Sequence, residues 1–219
     1  MILHGASLKV MQSMPDNTVD CVITDPPYSG AGFDKSVAQY WGRFAHYYKE
    51  MVRLCKTKKR LAISQPPGRL AYFRAKLPPA RVLTIPDAFA DNRGIPAHFL
   101  LINPRTERPQ SAENWSDDIV PKTIHPHDRD INKMAIAVKA MTKKGDTVLD
   151  PFCGSGAIGV ACVLLGRKYI GIELMEDRAE DARKRLEAAG ASYRDIYREA
   201  EIKRLTLSPD RQEPASGGK

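Results

Sequence analysis

Short runs of apolar, mostly β-branched residues recur along the chain, and most of them stop at a turn-forming or acidic residue. Ile2-Leu3 stops at Gly5, Cys21-Val22-Ile23-Thr24 at Asp25-Pro26-Pro27, and Leu61-Ala62-Ile63-Ser64 at Gln65-Pro66-Pro67. Arg81–Ile85, His98–Ile102, Thr147–Leu149 and Tyr169–Ile172 are four more such runs. Segments this short and this continuously apolar read as strands buried on both faces. Between them the period changes. Val37, Trp41, Phe44, Tyr48, Met51, Val52 and Cys55 recur at helical spacing behind a Ser36/Gln39 capping pattern, and the one-sided aromatic stripe is assigned to core packing. Ser7–Met14, Leu70–Lys76, the run through Ile131, Met134, Val138 and Met141, Ala157–Leu165 before Gly166, and the run through Ala179, Ala182, Leu186 and Ala189 complete the helices. Seven strands alternating in part with helices predict an α/β fold built on a doubly wound sheet.

One stretch breaks the pattern. Asn103–Thr123 shows neither period and is rich in Pro, Arg, Asn, Ser and Asp; loops of that length are usually functional or disordered. Beyond residue 205 the chain turns polar with Pro and Gly, so residues 1–205 are expected to form the domain and 206–219 a disordered tail.

Composition narrows the classes. At 219 residues, one domain with a sizeable core is the expectation. No apolar run approaches the ~18 residues of a membrane span, and the amino terminus lacks a signal-peptide pattern, so a cytoplasmic protein without a membrane partner is expected. Cys21, Cys55, Cys153 and Cys162 form no CxxC pair and read as buried, reduced thiols. The His125–Asp130 block has no third imidazole or thiolate cluster nearby, so no metal is expected. A net charge of +8 favours polyanions such as nucleic acid.

The candidate chemistry sits at two strand ends. Asp25-Pro26-Pro27-Tyr28 presents a carboxylate, a rigid turn and an aromatic ring where a strand stops, the edge at which open α/β sheets bind ligands. Asp150-Pro151-Phe152-Cys153-Gly154-Ser155-Gly156 likewise follows a strand and opens an apolar helix. Glu173 ends the next strand, about twenty positions past the glycine-rich turn, where an acid is placed to accept from ribose hydroxyls.

DPPY followed later by an FxGxG-type loop resembles the beta-class DNA amino-methyltransferases, which carry these motifs in this circularly permuted order. The resemblance spans roughly Met1 to Leu186 and implies a Rossmann-like methyltransferase fold with S-adenosylmethionine as cofactor. By it, Asp25, Pro26, Pro27 and Tyr28 form the catalytic set. Asp150, Phe152, Cys153, Gly154, Ser155, Gly156, Glu173 and Leu174 are expected to bind the cofactor. His125 and Arg129 join them, because the block resembles the family's His-Pro-x-x-Lys-Pro element, with Arg129 in place of Lys and Asp130 in place of Pro. Residues 87–124 become the candidate target-recognition region, with Arg93, Arg105, Arg108 and Trp115 as nucleic-acid contacts. The region is short, which implies modest sequence specificity or help from a second subunit in a homodimer. Gly5-Ala6 departs from the family's Gly-Asp.

Double-stranded DNA is the expected partner, and Asp at the first position of DPPY resembles the adenine-N6 enzymes more than the cytosine-N4 ones. Cytosine N4, an RNA or protein nitrogen, and a non-catalytic nucleic-acid-binding relative stay open as alternatives. A restriction partner is not legible.

Overall fold

The computed structural model describes residues 1–27, 36–78, 80–85, 97–103 and 129–190. In chain order these form β1 (Ile2–His4), α1 (Ser7–Ser13), β2 (Val19–Thr24), α2 (Val37–Leu54), β3 (Cys55–Ser64), α3 (Pro67–Lys76), β4 (Ala80–Ile85) and β5 (Ala97–Ile102). After residue 128 come α4 (Arg129–Met141), β6 (Thr147–Asp150), α5 (Ala157–Leu164), β7 (Lys168–Glu173) and a helix over residues 176–190, α6.

The seven strands make one sheet in the order β1-β7-β6-β2-β3-β5-β4. β1, β7, β6, β2 and β3 run parallel; β5 is antiparallel to both β3 and β4. The chain leaves β6 toward β7 on one side and leaves β2 toward β3 on the other. The boundary between β6 and β2 is therefore the topological switch point, where doubly wound sheets open a crevice beyond their carboxyl ends. Both acidic turns lie there.

Buried residues of α4, α5 and α6 pack on one face with Cys21, Ile23, Ala62, Phe99, Leu101 and Val148. Those of α1, α2 and α3 cover the other face with Val22, Leu61, Ile63, Leu100 and Leu149. The alternation of adjacent β2 residues between the two cores is what a strand covered on both sides requires. The stripe on α2 is core, as its spacing predicts. Phe44 and Met51 are buried, and Trp41 lies edge-on to Phe73 of α3 at 5.2 Å between ring centres.

The sequence places the start of β3 too late. α2 ends at Leu54 and β3 begins at once with Cys55, so the basic run Lys56–Arg60 is strand. The pairing with β2 is irregular there: Val19 faces Cys55, whereas Cys21 faces Arg60. Consecutive lysines show no apolar alternation, so the pattern that marks Leu61–Ser64 does not reach back over them.

Candidate active site

Local sequence chemistry builds the site at the ends of β2, β6 and β7. β2 stops at Asp25 because the two prolines after it lack amide hydrogens for a ladder. Pro26 is buried, and Asp25 is exposed at the sheet edge. β6 is parallel to β2 with Cys21 opposite Val148 and Val22 opposite Leu149. That register brings the two turns side by side.

Asp150 is the keystone of the arrangement. It is 1% exposed, and its Oδ1 accepts from Thr24 Oγ1 at 2.8 Å and from the Phe152 amide at 3.1 Å. Its Oδ2 accepts from the Tyr169 hydroxyl at 3.1 Å. Burial pushes this carboxyl up to about 7 from 3.8; the three donors pull it back, and the nearby Asp25 charge adds to the rise. Thr24 and Tyr169 carry no signal in the sequence that marks them as site residues, since each reads as an ordinary strand position. Their role exists only once β2, β6 and β7 lie together.

The glycine-rich turn is shaped by two different needs. Gly154 has φ +48°, its amide donates to Glu173 Oε2 at 2.9 Å, and a side chain built there would meet nothing within 4 Å. The backbone is therefore open to close approach. Gly156, at φ +82°, is the N-cap of α5 and lies under α6, where an added Cβ would stand 3.0 Å from Leu186 and 3.2 Å from Ala182. Glu173 is 9% exposed and also accepts from the Met175 amide at 3.0 Å, so each of its oxygens is fixed by one amide and keeps further accepting capacity. Beside it Leu174 and Met175 are 64% and 46% exposed, an apolar edge next to an oriented acid.

The remaining site residues divide plainly. Phe152 is half-buried against Tyr47 of α2, with ring centres 5.2 Å apart. Cys153 is buried, which pushes its thiol up to about 12 and leaves it inert as a nucleophile near neutrality. Ser155 is exposed in the turn. Ala6, where the resemblance expects an acid, is the N-cap of α1 and gives no side-chain cap. Arg129 and Asp130 open α4, so the helix continues where the resemblance expects a proline turn. Tyr28, Arg93, Arg105, Arg108, Trp115 and His125, and the side chain of Arg129, lie outside the described residues. Among the described residues no group of His, Cys, Asp and Glu is placed to hold a metal ion.

Comparison with known proteins bears on this geometry. A family model described as DNA methylase matches residues 97–184, the part that carries Asp150, the glycine-rich turn and Glu173. Over 207 residues the chain is 27% identical to a protein of Escherichia coli (strain K12) named Putative methylase YubD, covering 85% of this chain and 89% of that one. Over residues 97–184 the chain is similar to the N6/N4 DNA methylases. Two solved structures share its fold. TTHA0409 of Thermus thermophilus, complexed with S-adenosyl-L-methionine, matches with a TM-score of 0.61 at 21% identity over 86% of this chain and 95% of that one. The PvuII DNA methyltransferase, cytosine-N4-specific, matches with a TM-score of 0.61 at 14% identity over 89% and 91%. The family model leaves Asp25 outside its span, whereas the match to the Escherichia coli relative runs along most of the chain. No described helix is long and apolar enough to cross a membrane.

Proposed function

We propose that this chain transfers a methyl group from S-adenosylmethionine to the exocyclic N6 amine of adenine in double-stranded DNA. The observation that carries the reading is the juxtaposition at the switch point: the exposed Asp25 beside the buried Asp150, with Glu173 one strand further on. One carboxylate faces the solvent from which a substrate arrives. The other two are locked into the frame of a binding crevice.

The residues fit S-adenosylmethionine. The open backbone at Gly154 admits the cofactor's sugar and methionine parts, and Glu173 keeps accepting capacity for the ribose hydroxyls. Leu174 offers exposed apolar surface to the adenine ring. Asp150, held above the ordinary carboxylate range by burial, gains most from an ammonium brought near it, and the methionine part carries one. Phe152, Cys153, Ser155 and Gly156 shape the turn around these groups, and His125 and Arg129 are assigned to the methionine end by the resemblance alone. The cofactor supplies an electrophilic methyl group on a sulfonium.

The base amine is a poor nucleophile because its lone pair is delocalised into the ring. Asp25 and the carbonyl oxygen of Pro26 accept the amine's two hydrogens and draw the nitrogen toward tetrahedral geometry, with the lone pair aimed at the methyl. As the nitrogen attacks, the sulfur–methyl bond breaks to leave a neutral thioether and the nitrogen gains positive charge, which the preplaced carboxylate of Asp25 favours; one of its protons is then lost to solvent. Pro26 and Pro27 hold those acceptors in place, and Tyr28 stacks on the base, a contact worth about 1–3 kcal/mol for a base outside the helix. The +8 charge, with Arg93, Arg105, Arg108 and Trp115 in the recognition region, draws and orients the DNA, alone or as a homodimer. Adenine is preferred over cytosine because the motif opens with Asp.

The test is methylation of mixed-sequence duplex DNA with labelled S-adenosylmethionine, followed by digestion to nucleosides and mass spectrometry. N6-methyladenine is the expected product. N4-methylcytosine would keep the mechanism and overturn the choice of base, and label in neither nucleoside would overturn the reading.

A further inference from the structure

A second polar group stands at the same sheet edge without a hydrogen-bond partner among the described residues. Gln65, the residue after β3, is 1% exposed, and neither its Oε1 nor its Nε2 has a hydrogen-bond partner among the described residues. Buried amides are almost always paired, so one orphaned at both atoms calls for a reason. Its backbone is fixed, since the Gln65 amide donates to the His98 carbonyl of β5 at 2.9 Å.

Its position supplies the reason. β2 and β3 run parallel with Thr24 opposite Ile63, and continuing that register by two residues puts Gln65 opposite Pro26. The two strand ends echo each other, Asp25-Pro26-Pro27 and Gln65-Pro66-Pro67. By strand alternation the Gln65 side chain follows Leu61 and Ile63 toward the α1–α2 face. There Arg69 of α3 lies over the Tyr40 ring at 4.6 Å and keeps a buried Nη1 without a partner among the described residues. Tyr40 is in the first turn of α2, the helix that follows the Asp25 turn in the chain. Gln65 thus lies on the Pro26 side of the edge, with β2 between it and the Asp150 turn, and Arg69 belongs to the helix that starts just after it.

We propose that Gln65 reads the target base. A carboxamide is one acceptor beside one donor, so a ligand that only accepts or only donates leaves half of it unpaired. An exocyclic amine next to an unprotonated ring nitrogen satisfies both halves, and both adenine and cytosine carry that edge. Thymine has no amine. Gln65 Oε1 shares the second amine hydrogen with the Pro26 carbonyl in a three-centre bond, and Nε2 donates to the ring nitrogen. This assignment rests on the proposed methyl transfer to a base amine, and it makes Gln65 a specificity residue for that step.

The experiment compares wild type with Gln65→Leu on duplex DNA, and on the same DNA carrying the deaza analogue of the methylated base, in which the ring nitrogen beside the amine is carbon. For Gln65→Leu, kcat/KM for DNA is expected to fall about 10- to 100-fold, in line with loss of one bidentate base contact. Cofactor Kd stays unchanged, and Tm is unchanged or higher because an unpaired buried amide has been removed. The deaza substrate costs the wild type a similar factor and costs Gln65→Leu nothing further. Unchanged kcat/KM in Gln65→Leu, or equal deaza sensitivity in both proteins, would overturn the assignment while leaving the methyltransferase reading intact. A lower Tm together with lost cofactor binding would make Gln65 a structural residue. A wild type that methylates no base amine would remove both readings.

Discussion

On the proposed assignment, the two halves of the site differ in how firmly their polar groups are held. On the cofactor side each carboxylate is locked in place: Asp150 holds three donors and Glu173 two amides. On the substrate side Asp25 is exposed, and Gln65 is buried with both amide atoms unpaired among the described residues. In the proposed reading the first half is set before the cofactor arrives, and the Gln65 amide of the second is paired by the substrate base. A cofactor of constant structure rewards a rigid frame. A base that must leave a duplex gives up its paired edge and needs groups that replace it.

Glycines in helices probe the contrast most strongly. Gly159 of α5 sits where a side chain would lie 2.5 Å from the Tyr169 ring and 2.9 Å from Leu186. Gly159→Ala is expected to destabilise the protein by about 1–3 kcal/mol despite better helix propensity, and to weaken cofactor binding by moving Tyr169 off Asp150. Gly42 of α2 has open space around it, so Gly42→Ala is expected to stabilise by about 0.5–1 kcal/mol. Denaturant midpoints of the two variants decide this; equal shifts would erase the distinction between a packed frame and an open one.

A smaller effect is expected from pH. Asp150 is raised to about 7 in the fold from 3.8, so between those values the folded protein keeps a proton that the unfolded chain has released. Its contribution to stability is therefore greatest at the acid end of that window and declines as pH rises through about 7. Asp150→Asn titrates nowhere in this range. The wild-type Tm should fall relative to that of the variant from pH 5 to pH 8, and a constant difference would mean that Asp150 is already ionised throughout.

Legibility in the sequence followed the same divide. The strands that bear the site announce themselves by short β-branched runs, and Asp25, Asp150 and Glu173 each end one. Gly154 and Gly156 were readable as a glycine-rich turn between a strand and a helix, and their positive φ is what calls for glycine there. Thr24 and Tyr169 were not, since a hydroxyl on an apolar strand means nothing until the neighbouring strand delivers a carboxylate to it. The start of β3 was hidden by its lysines. Gln65 had a faint signal, a polar residue before two prolines at a strand end, but that its amide has no partner among the described residues is a fact of the tertiary structure alone.

In the proposed reaction Asp25 acts on the substrate while the neighbouring frame holds the cofactor. Asp25→Ala tests it most directly, with cofactor Kd by calorimetry and methyl transfer to DNA measured on one preparation. Cofactor binding is expected to stay unchanged while transfer falls about 10²–10³-fold or more, the scale seen when a group that stabilises developing charge is removed. Near-normal transfer, or loss of cofactor binding in parallel with activity, would contradict it.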